Sequence, residues 1–255
     1  MSQWNTRQDW PRQARDCIAA LNTRNIPLPE TVTAALAVLD RVERAKPFAP
    51  EHTAIRKAIL DGATTDQINA LVLADLGAQK IAVEHGQARI DAAGAVLAAV
   101  LAAADKIMPA LRKLAEAAIS RLADVAALDG ARLDDLVRAG RTDDAQAVAN
   151  VATVASELDS HYEVRDRYLT RGGPQALTVA GWNGSRWRDP VMASYHVSGG
   201  NPADRYLKGL AAGVPLWFPT KSEAVAVAQA VADGQAAEAG RIKAEQFGVG
   251  SVSGW

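Results

Sequence analysis

The sequence is poor in cysteine and in aromatic residues, and it has almost no excess of charge of either sign. Cys17 is its one cysteine in 255 residues, which excludes an intrachain disulfide. Aromatic residues make up 5% of the chain, and basic and acidic residues nearly cancel to a formal net charge of -1. A chain without a charge excess has no global field that attracts nucleic acid or anionic lipid. Any such binding must therefore be local.

Long apolar runs are scarce as well. The uncharged stretch 92–104 is mostly alanine and about 13 residues long, whereas a membrane-spanning helix needs about 20 predominantly apolar residues. Residues 1–16 are polar and lack the apolar centre of a Sec signal peptide. These features predict no membrane partner, no Sec-dependent export and a cytoplasmic location.

Alanine is abundant instead, and it is concentrated in residues 78–128. Apolar residues recur there every seventh position from Ile90 to Val125. A second apolar row, Val100, Ile107 and Leu114, lies three residues after members of the first row. This spacing predicts a long helix with a continuous apolar stripe. Pro109 lacks a backbone donor and is expected to bend the helix. Six members of the stripe are expected to carry helix contacts: Leu97, Val100, Leu101, Ile107, Leu111 and Leu114.

The positions that flank this stripe are uncharged: Val96, Ala103, Ala110 and Ala117. A solvated two-stranded coiled coil usually carries Glu or Lys at such positions. We therefore expect more than one side of the helix to be covered, by residues 142–169, by the amino-terminal helices or by another subunit.

The segments before the long helix carry signals for short helices. The spacing of apolar residues and the turn residues between them predict helices over 8–21, 30–45 and 50–62. Thr64 and Gln67 fit a capping box, in which the hydroxyl accepts a first-turn amide hydrogen bond and the glutamine side chain reaches back. The long helical region is therefore expected to start at Thr64.

Two further helices are predicted in the second half of the chain. Thr142 is expected to cap a helix over 142–169 that folds back on the central helix as an antiparallel hairpin. Thr220 and Glu223 fit a second capping box, which starts a last helix that runs to about residue 246.

These elements predict a mainly α fold, built as a long alanine-rich helical hairpin or bundle with a small, loop-rich, Trp-containing α+β unit towards the carboxyl end. Short strands are expected over 176–180 and 191–197. The predicted segments are the N-terminal short helices (1–63), the helical hairpin or bundle (64–170), the Trp-rich loop and short-strand unit (171–219), and a C-terminal helix with a flexible tail (220–255).

Residues with catalytic or metal-binding chemistry are few and isolated. Glu157 and His161 are four residues apart on a predicted helix, where we expect a solvated pair. A metal site needs more ligands, and the central helix offers alanine in place of inward carboxylates. Cys17 has no histidine near it in sequence that would activate it. The sequence therefore predicts no catalytic, cofactor or metal site and no enzymatic activity.

Aromatic and basic residues are interleaved in the segment 171–219. Such a mixture is typical of surfaces that bind single-stranded nucleic acid or glycans. Tryptophans in a small unit also form its core, because each buries about 150 to 250 Å². Core packing, subunit contact and binding of glycan or nucleic acid all remain open at this point. The candidate patch residues are Trp182, Arg186, Trp187, Tyr195 and Trp217.

The whole chain resembles proteins of the structural modules of actinobacterial phages and prophages. It is rich in Ala, Arg, Asp and Val and poor in lysine, and it combines a long helix with a Trp-containing unit and a glycine-rich end. The resemblance implies a virion or assembly protein, such as a minor capsid, connector or scaffold-like component, that contacts copies of itself or other structural subunits. We therefore expect a non-enzymatic structural protein, located in the virion if the chain is phage-encoded.

Overall fold

The computed structural model describes residues 7–45, 53–170, 186–188 and 201–248. These residues are mostly helical and their helices pack as a bundle, which confirms the prediction of a mainly α protein. The α-helices of the described residues are α1 (Trp10–Thr23), α2 (Glu30–Arg44), α3 (Ala54–Leu60), α4 (Thr65–Ala102), α5 (Ala104–Ala126), α6 (Leu133–Arg138), α7 (Thr142–Val164), α8 (Pro202–Ala211) and α9 (Lys221–Gly248).

The β part of the prediction finds no support in the described ranges. These ranges contain no strand, and a single antiparallel bridge pairs Trp187 with Leu216. The predicted strands over 176–180 and 191–197 lie outside the described residues. Of the flexible tail predicted over 247–255, residues 247 and 248 belong to α9 and the rest lie outside the described residues.

The chain divides into two compact units, Met1–Ile107 and Met108–Trp255. The predicted hairpin or bundle segment 64–170 therefore contributes to both units. In the first unit, α4 packs against α1, α2 and α3. The carboxyl-terminal half of α4 supplies its buried residues, which are Ala92, Ala93, Val96, Leu97 and Val100. The facing core residues on α1 and α2 include Ala14, Cys17, Ile18, Leu21, Val32 and Leu39.

Polar contacts also tie the helices of the first unit together. Arg15 on α1 donates to Asp40 on α2 at 2.5 Å and to Glu43, and Glu43 also lies 3.5 Å from Arg89 on α4. These side chains are between 30% and 50% exposed, so each pair contributes at most about 1 kcal/mol. The ion pairs therefore fix the orientation of the helices, and apolar burial supplies most of the stability.

Gly94 on α4 allows a close approach of Trp10 on α1. A Cβ atom at residue 94 would lie 2.5 Å from Trp10 Cζ3, which is closer than carbon atoms can approach. We expect Gly94→Ala to lower the free energy of unfolding by about 1 to 2 kcal/mol, because the indole ring must move. Urea unfolding followed by tryptophan fluorescence measures this change.

Gly86 provides the matched control in the same helix. A Cβ atom there meets no atom within 4 Å, so Gly86→Ala is expected to gain about 0.5 to 1 kcal/mol from helix propensity. Equal effects of the two substitutions would contradict the close packing of Trp10 on Gly94.

The long alanine-rich helix is broken at Ala103, whose φ of -94° and ψ of 10° separate α4 from α5. Pro109 lies inside α5, six residues after this break, and the predicted bend at Pro109 stays a prediction. A proline ring clashes with the carbonyl of the residue four positions earlier, here Asp105, so a bend would fall on the amino-terminal side of Pro109. The capping box that starts α4 is confirmed, with Thr64 N donating to Gln67 Oε1 at 2.9 Å and Gln67 N to Thr64 Oγ1 at 3.4 Å.

Helix α7 is the centre of the second unit. It packs against α6 and α8, and Arg121 on α5 donates to Glu157 on α7 at 2.8 Å. Side chains of α5 and α7 therefore meet at this ion pair, and the antiparallel hairpin stays a prediction. The buried residues of these two helices include Leu111, Ala115, Ala118, Leu122 and Val125 on α5 and Val154, Ala155, Leu158 and Tyr162 on α7.

The ends of α7 differ from the prediction. Thr142 is the first helical residue and Arg141 occupies the N-cap position without a side-chain cap bond, so the predicted cap at Thr142 is wrong. The helix continues as a π-helix over Arg165–Leu169, closed by a hydrogen bond from Thr170 N to Arg165 O at 3.0 Å. The second predicted capping box is confirmed, because Thr220 N donates to Glu223 and Glu223 N donates to Thr220 Oγ1.

No single helix among the described residues is both long and apolar enough to cross a membrane. Helices α4 and α5 reach the required length and composition only when they are taken together across the break at Ala103.

Candidate functional site

The residues that the sequence assigns to helix contacts are mostly covered in the single chain. Leu97, Val100, Ile107 and Leu111 are buried, Leu114 is half-buried, and Leu101 is 37% exposed. Most of the predicted contact stripe therefore belongs to the core, and it is not open to another subunit.

The described members of the predicted Trp and Arg patch are also packed inside the second unit. Trp187 is buried, and Arg186 and Trp217 are half-buried. Backbone hydrogen bonds join their segments, from Arg188 N to Pro215 O at 2.9 Å and from Trp217 N to Arg186 O at 3.1 Å. Trp182 and Tyr195 lie outside the described residues.

An arginine–aromatic cluster surrounds these segments, made by Asp159, Tyr162, Arg165, Arg186, Tyr206 and Phe218. The rings of Tyr162 and Phe218 stack with centroids 5.2 Å apart, and the guanidinium of Arg165 lies 4.9 Å from both centroids. The guanidinium of Arg186 lies 4.9 Å from the Tyr162 ring. Arg165 is 1% exposed, so the two rings receive a desolvated cation.

Asp159 on α7 anchors the polar side of the arginine–aromatic cluster. Its Oδ1 accepts hydrogen bonds from Arg186 Nη1 and from Tyr206 Oη, both at 2.5 Å. Arg186 Nη1 also lies 3.1 Å from Tyr206 Oη. Tyr162 Oη donates to the carbonyl of Trp217 at 2.8 Å. These bonds connect α7, α8 and the segments around residues 186 and 217. The polar side chains of the cluster therefore bind one another or nearby backbone.

The electrostatics of the arginine–aromatic cluster favour neutral phenols and a charged guanidinium. Burial raises the pKa values of Tyr162 and Tyr206 well above their ordinary range. Burial alone would lower the pKa of Arg186, but the neighbouring Tyr206 and Asp159 outweigh it and the pKa of Arg186 is raised. The guanidinium of Arg186 therefore stays charged beside Asp159.

Tyrosine ionisation is expected to report on this burial. Tyr162 and Tyr206 should stay neutral near pH 10 in the folded protein, whereas they ionise there once unfolded. Because the folded state holds these protons more tightly, stability is full below about pH 10 and falls as the pH rises above that value. Absorbance of tyrosinate against pH measures both effects.

Tyr162→Phe and Tyr206→Phe provide the controls for that titration. Each substitution should remove one late-ionising group and leave the early part of the curve unchanged. Loss of signal from the early part of the curve would show that the substituted tyrosine is solvated in the folded state.

His161 and Glu157 lie close together, with Nε2 and Oε1 3.7 Å apart. His161 is only 3% exposed, so the prediction of a solvated pair is wrong for the histidine. The four-residue spacing predicts their proximity, and burial follows from packing on the face of α7 that also carries Tyr162. Within the described part of the chain, no group of three or more metal-ligating side chains is assembled.

A groove of about 300 Å³ lies between α5 and α7. Its apolar lining consists of Leu122, Val125, Ala147, Val151 and Val154. Its polar lining consists of Arg121, Asp124, Asp143, Gln146 and Asn150, of which Arg121 pairs with Glu157. This lining combines apolar and polar side chains, and it lacks the convergent acid, base and nucleophile of a hydrolytic site.

Among the described residues, the largest group of exposed apolar side chains lies on the first unit, within residues 59–83. On α4, Leu73 is 69%, Leu76 is 56% and Val83 is 66% exposed, and Val72 lies beside them. We call these four residues the α4 apolar stripe. Ile59 and Leu60 at the end of α3 and Ile81 on another side of α4 are exposed as well. Large contiguous apolar patches mark contact surfaces.

The sequence analysis missed the α4 apolar stripe, although its signal is present. The spacing of Leu73, Leu76 and Val83 is helical, and only Lys80 and Glu84 carry charge between residues 76 and 88. The stronger alanine-rich pattern that follows conceals it.

Comparison of this chain with protein-family models, curated proteins and solved structures finds no match.

Proposed function

We propose that this protein is a non-enzymatic structural or assembly protein that acts through helix-mediated contacts with protein partners. The observation that supports this proposal is the α4 apolar stripe. Three of its four side chains are more than half exposed on a helix that is held at its start by a capping box. An exposed apolar helix face gains free energy when a partner covers it.

The contact residues proposed here differ from those that the sequence favours. Leu97, Val100 and Leu111 are buried in the single chain, whereas Leu73 and Leu76 are available. The proposed contact surface therefore lies in the amino-terminal half of α4, ahead of most of the alanine-rich stretch.

The resemblance to structural proteins of actinobacterial phages fits this proposal. It would imply a virion or assembly-intermediate protein, such as a minor capsid, connector or scaffold-like component, with its own copies or other structural subunits as partners. In a host cell that expresses it alone, the protein would reside in the cytoplasm.

Binding of glycan or nucleic acid by residues 171–219 is the alternative function. Two of the five patch residues are poorly placed to bind glycan or nucleic acid, because Arg186 is paired with Asp159 and Trp187 is buried against Gly209. These groups offer little free surface for stacking on a base or a sugar.

Isolation of native assemblies that contain this chain tests the proposed function. The wild-type protein should co-purify with further copies or with defined structural subunits, and Leu76→Glu should be missing from the same particles. Recovery of wild-type protein only as a free species, together with salt-sensitive binding to single-stranded nucleic acid that Arg188→Ala weakens, would support the alternative.

A further inference from the structure

We propose that the α4 apolar stripe binds a second copy of this chain, with the two α4 helices antiparallel and Leu73 of one copy opposite Val83 of the other. This inference rests on the proposed function and specifies its partner. The four side chains form one face because residues three, four and seven positions apart lie on the same side of a helix.

The rest of α4 shows why this face is free. Ile68, Leu71 and His85 are half-buried on the side of α4 that faces α2 and α3, and His85 Nε2 lies 2.8 Å from the carbonyl of Val42 on α2. The α4 apolar stripe lies on a different side of the helix, where its side chains are exposed. The helix is therefore held on one side and open on the other.

The open face is large enough for a small specific contact. Between residues 69 and 87, α4 runs for roughly 27 Å at 1.5 Å per residue. A standard interface buries about 800 Å² on each partner. A contact along this length would lie at the lower end of the interface sizes that specific complexes use.

The charges around the α4 apolar stripe fit a second copy better than a charged ligand. Residues 53–90 hold four basic and four acidic side chains, so this region carries no net charge that would repel its own copy. Lipid and nucleic-acid surfaces are recognised by clusters of lysine and arginine, and Lys80 is the single basic residue beside the stripe. The basic residues are Arg56, Lys57, Lys80 and Arg89, and the acidic residues are Asp61, Asp66, Asp75 and Glu84.

Lys80 determines the direction of the pairing. It lies between Leu76 and Val83 in the stripe, so a parallel pair in register would place the two Lys80 ammonium groups at the same level. An antiparallel pair centred near residue 78 places Lys80 opposite Leu76 of the other copy. Its aliphatic stem can then cover the leucine while its Nζ keeps the contact with Glu84 Oε1 at 2.5 Å.

Light scattering on the full chain across micromolar concentrations tests the association. The wild-type mass is expected to rise from that of a monomer to that of a dimer, and Leu76→Glu should weaken the association at least tenfold. Ile81→Glu is the matched control, because Ile81 is 59% exposed on the same helix but off the stripe. A wild-type monomer throughout, or equal effects of both substitutions, would overturn the proposal. Circular dichroism verifies that both variants keep their helices.

Disulfide trapping tests the direction. Oxidation of an equimolar mixture of Leu73→Cys and Val83→Cys should give mainly the mixed disulfide, whereas each variant alone should cross-link slowly. Ala74→Cys, exposed on another side of α4, is the control and should not cross-link. Fast homodisulfides of each variant alone would overturn the antiparallel arrangement.

The outcome separates this inference from the proposed function. A monomeric wild type that still enters native assemblies, and fails to enter them as Leu76→Glu, would overturn self-association and leave the assembly function standing. A monomeric wild type for which Leu76→Glu has no effect in native assemblies would overturn both.

Discussion

Replacement of Asp159 by alanine is expected to lower the free energy of unfolding of the second unit by about 3 kcal/mol. Asp159 Oδ1 accepts hydrogen bonds from both Arg186 and Tyr206. Its removal leaves the partly buried guanidinium of Arg186 without its carboxylate. Loss of one partner of a buried ion pair costs about 3 to 5 kcal/mol. The lower end applies because the two side chains are 25% and 30% exposed.

The arginine–aromatic cluster makes this loss difficult to compensate. Arg186 is also held over the Tyr162 ring at 4.9 Å, so it cannot turn to solvent without giving up that contact. Arg205 lies 3.9 Å from Asp159 Oδ2 and loses its own partner at the same time. Guanidinium chloride unfolding followed by far-ultraviolet circular dichroism measures the change.

Two variants isolate the role of the buried charge. Asp159→Asn keeps an acceptor oxygen and is expected to lose about half as much stability, because it removes the charge but not the shape. Glu163→Ala removes the exposed partner of Arg167 on the same helix, where the two charged groups lie 3.7 Å apart, and should cost less than about 1 kcal/mol. Equal losses for Asp159→Ala and Glu163→Ala would contradict the buried ion pair.

Local signals allow much of the helical framework to be predicted from the sequence. Apolar spacing predicts α1 and α2, and the capping boxes at Thr64 and Thr220 start α4 and α9 where the structure has them. These signals involve residues no more than four positions apart, so they need no tertiary information. The break at Ala103 is less predictable because no proline or glycine marks it, and Pro109 lies six residues further on inside α5.

Local signals do not predict which faces of each helix are buried and which are exposed. Val96, Ala103, Ala110 and Ala117 look alike in sequence, yet the first two are buried, Ala110 is half-buried and Ala117 is exposed. Alanine occurs at buried and at exposed positions alike, because its side chain is small and only weakly apolar. Periodicity therefore identifies an apolar face but does not identify what covers it.

The arginine–aromatic cluster shows the same limit at the level of the site. Arg186 and Trp187 form part of a plausible binding patch in sequence, but Asp159 and Tyr206, which determine their environment, are 27 and 20 residues from Arg186. Composition is the same for an aromatic–basic surface and for an aromatic core that holds arginine. Only long-range packing distinguishes them, and here it buries Trp187 and Arg165.

Gly209 in α8 is the second position at which a small substitution should have a large effect. A Cβ atom at residue 209 would lie 2.1 Å from Trp187 Cη2 and 2.4 Å from Cζ3. Trp187 is 4% exposed and lies against Tyr206 with a centroid distance of 6.1 Å. The indole ring therefore has no free space into which it can move.

We expect Gly209→Ala to lower the free energy of unfolding by about 3 kcal/mol, which exceeds the helix-propensity gain of about 1 kcal/mol. Gly234→Ala in α9 is the control, because a Cβ atom there meets nothing within 4 Å and only the gain remains. Combining Gly209→Ala with Trp187→Leu should cost less than the sum of the two single substitutions, since the smaller side chain makes room for the new methyl group. Thermal melting of all four variants measures these differences, and additive losses would show that the indole ring does not pack on Gly209.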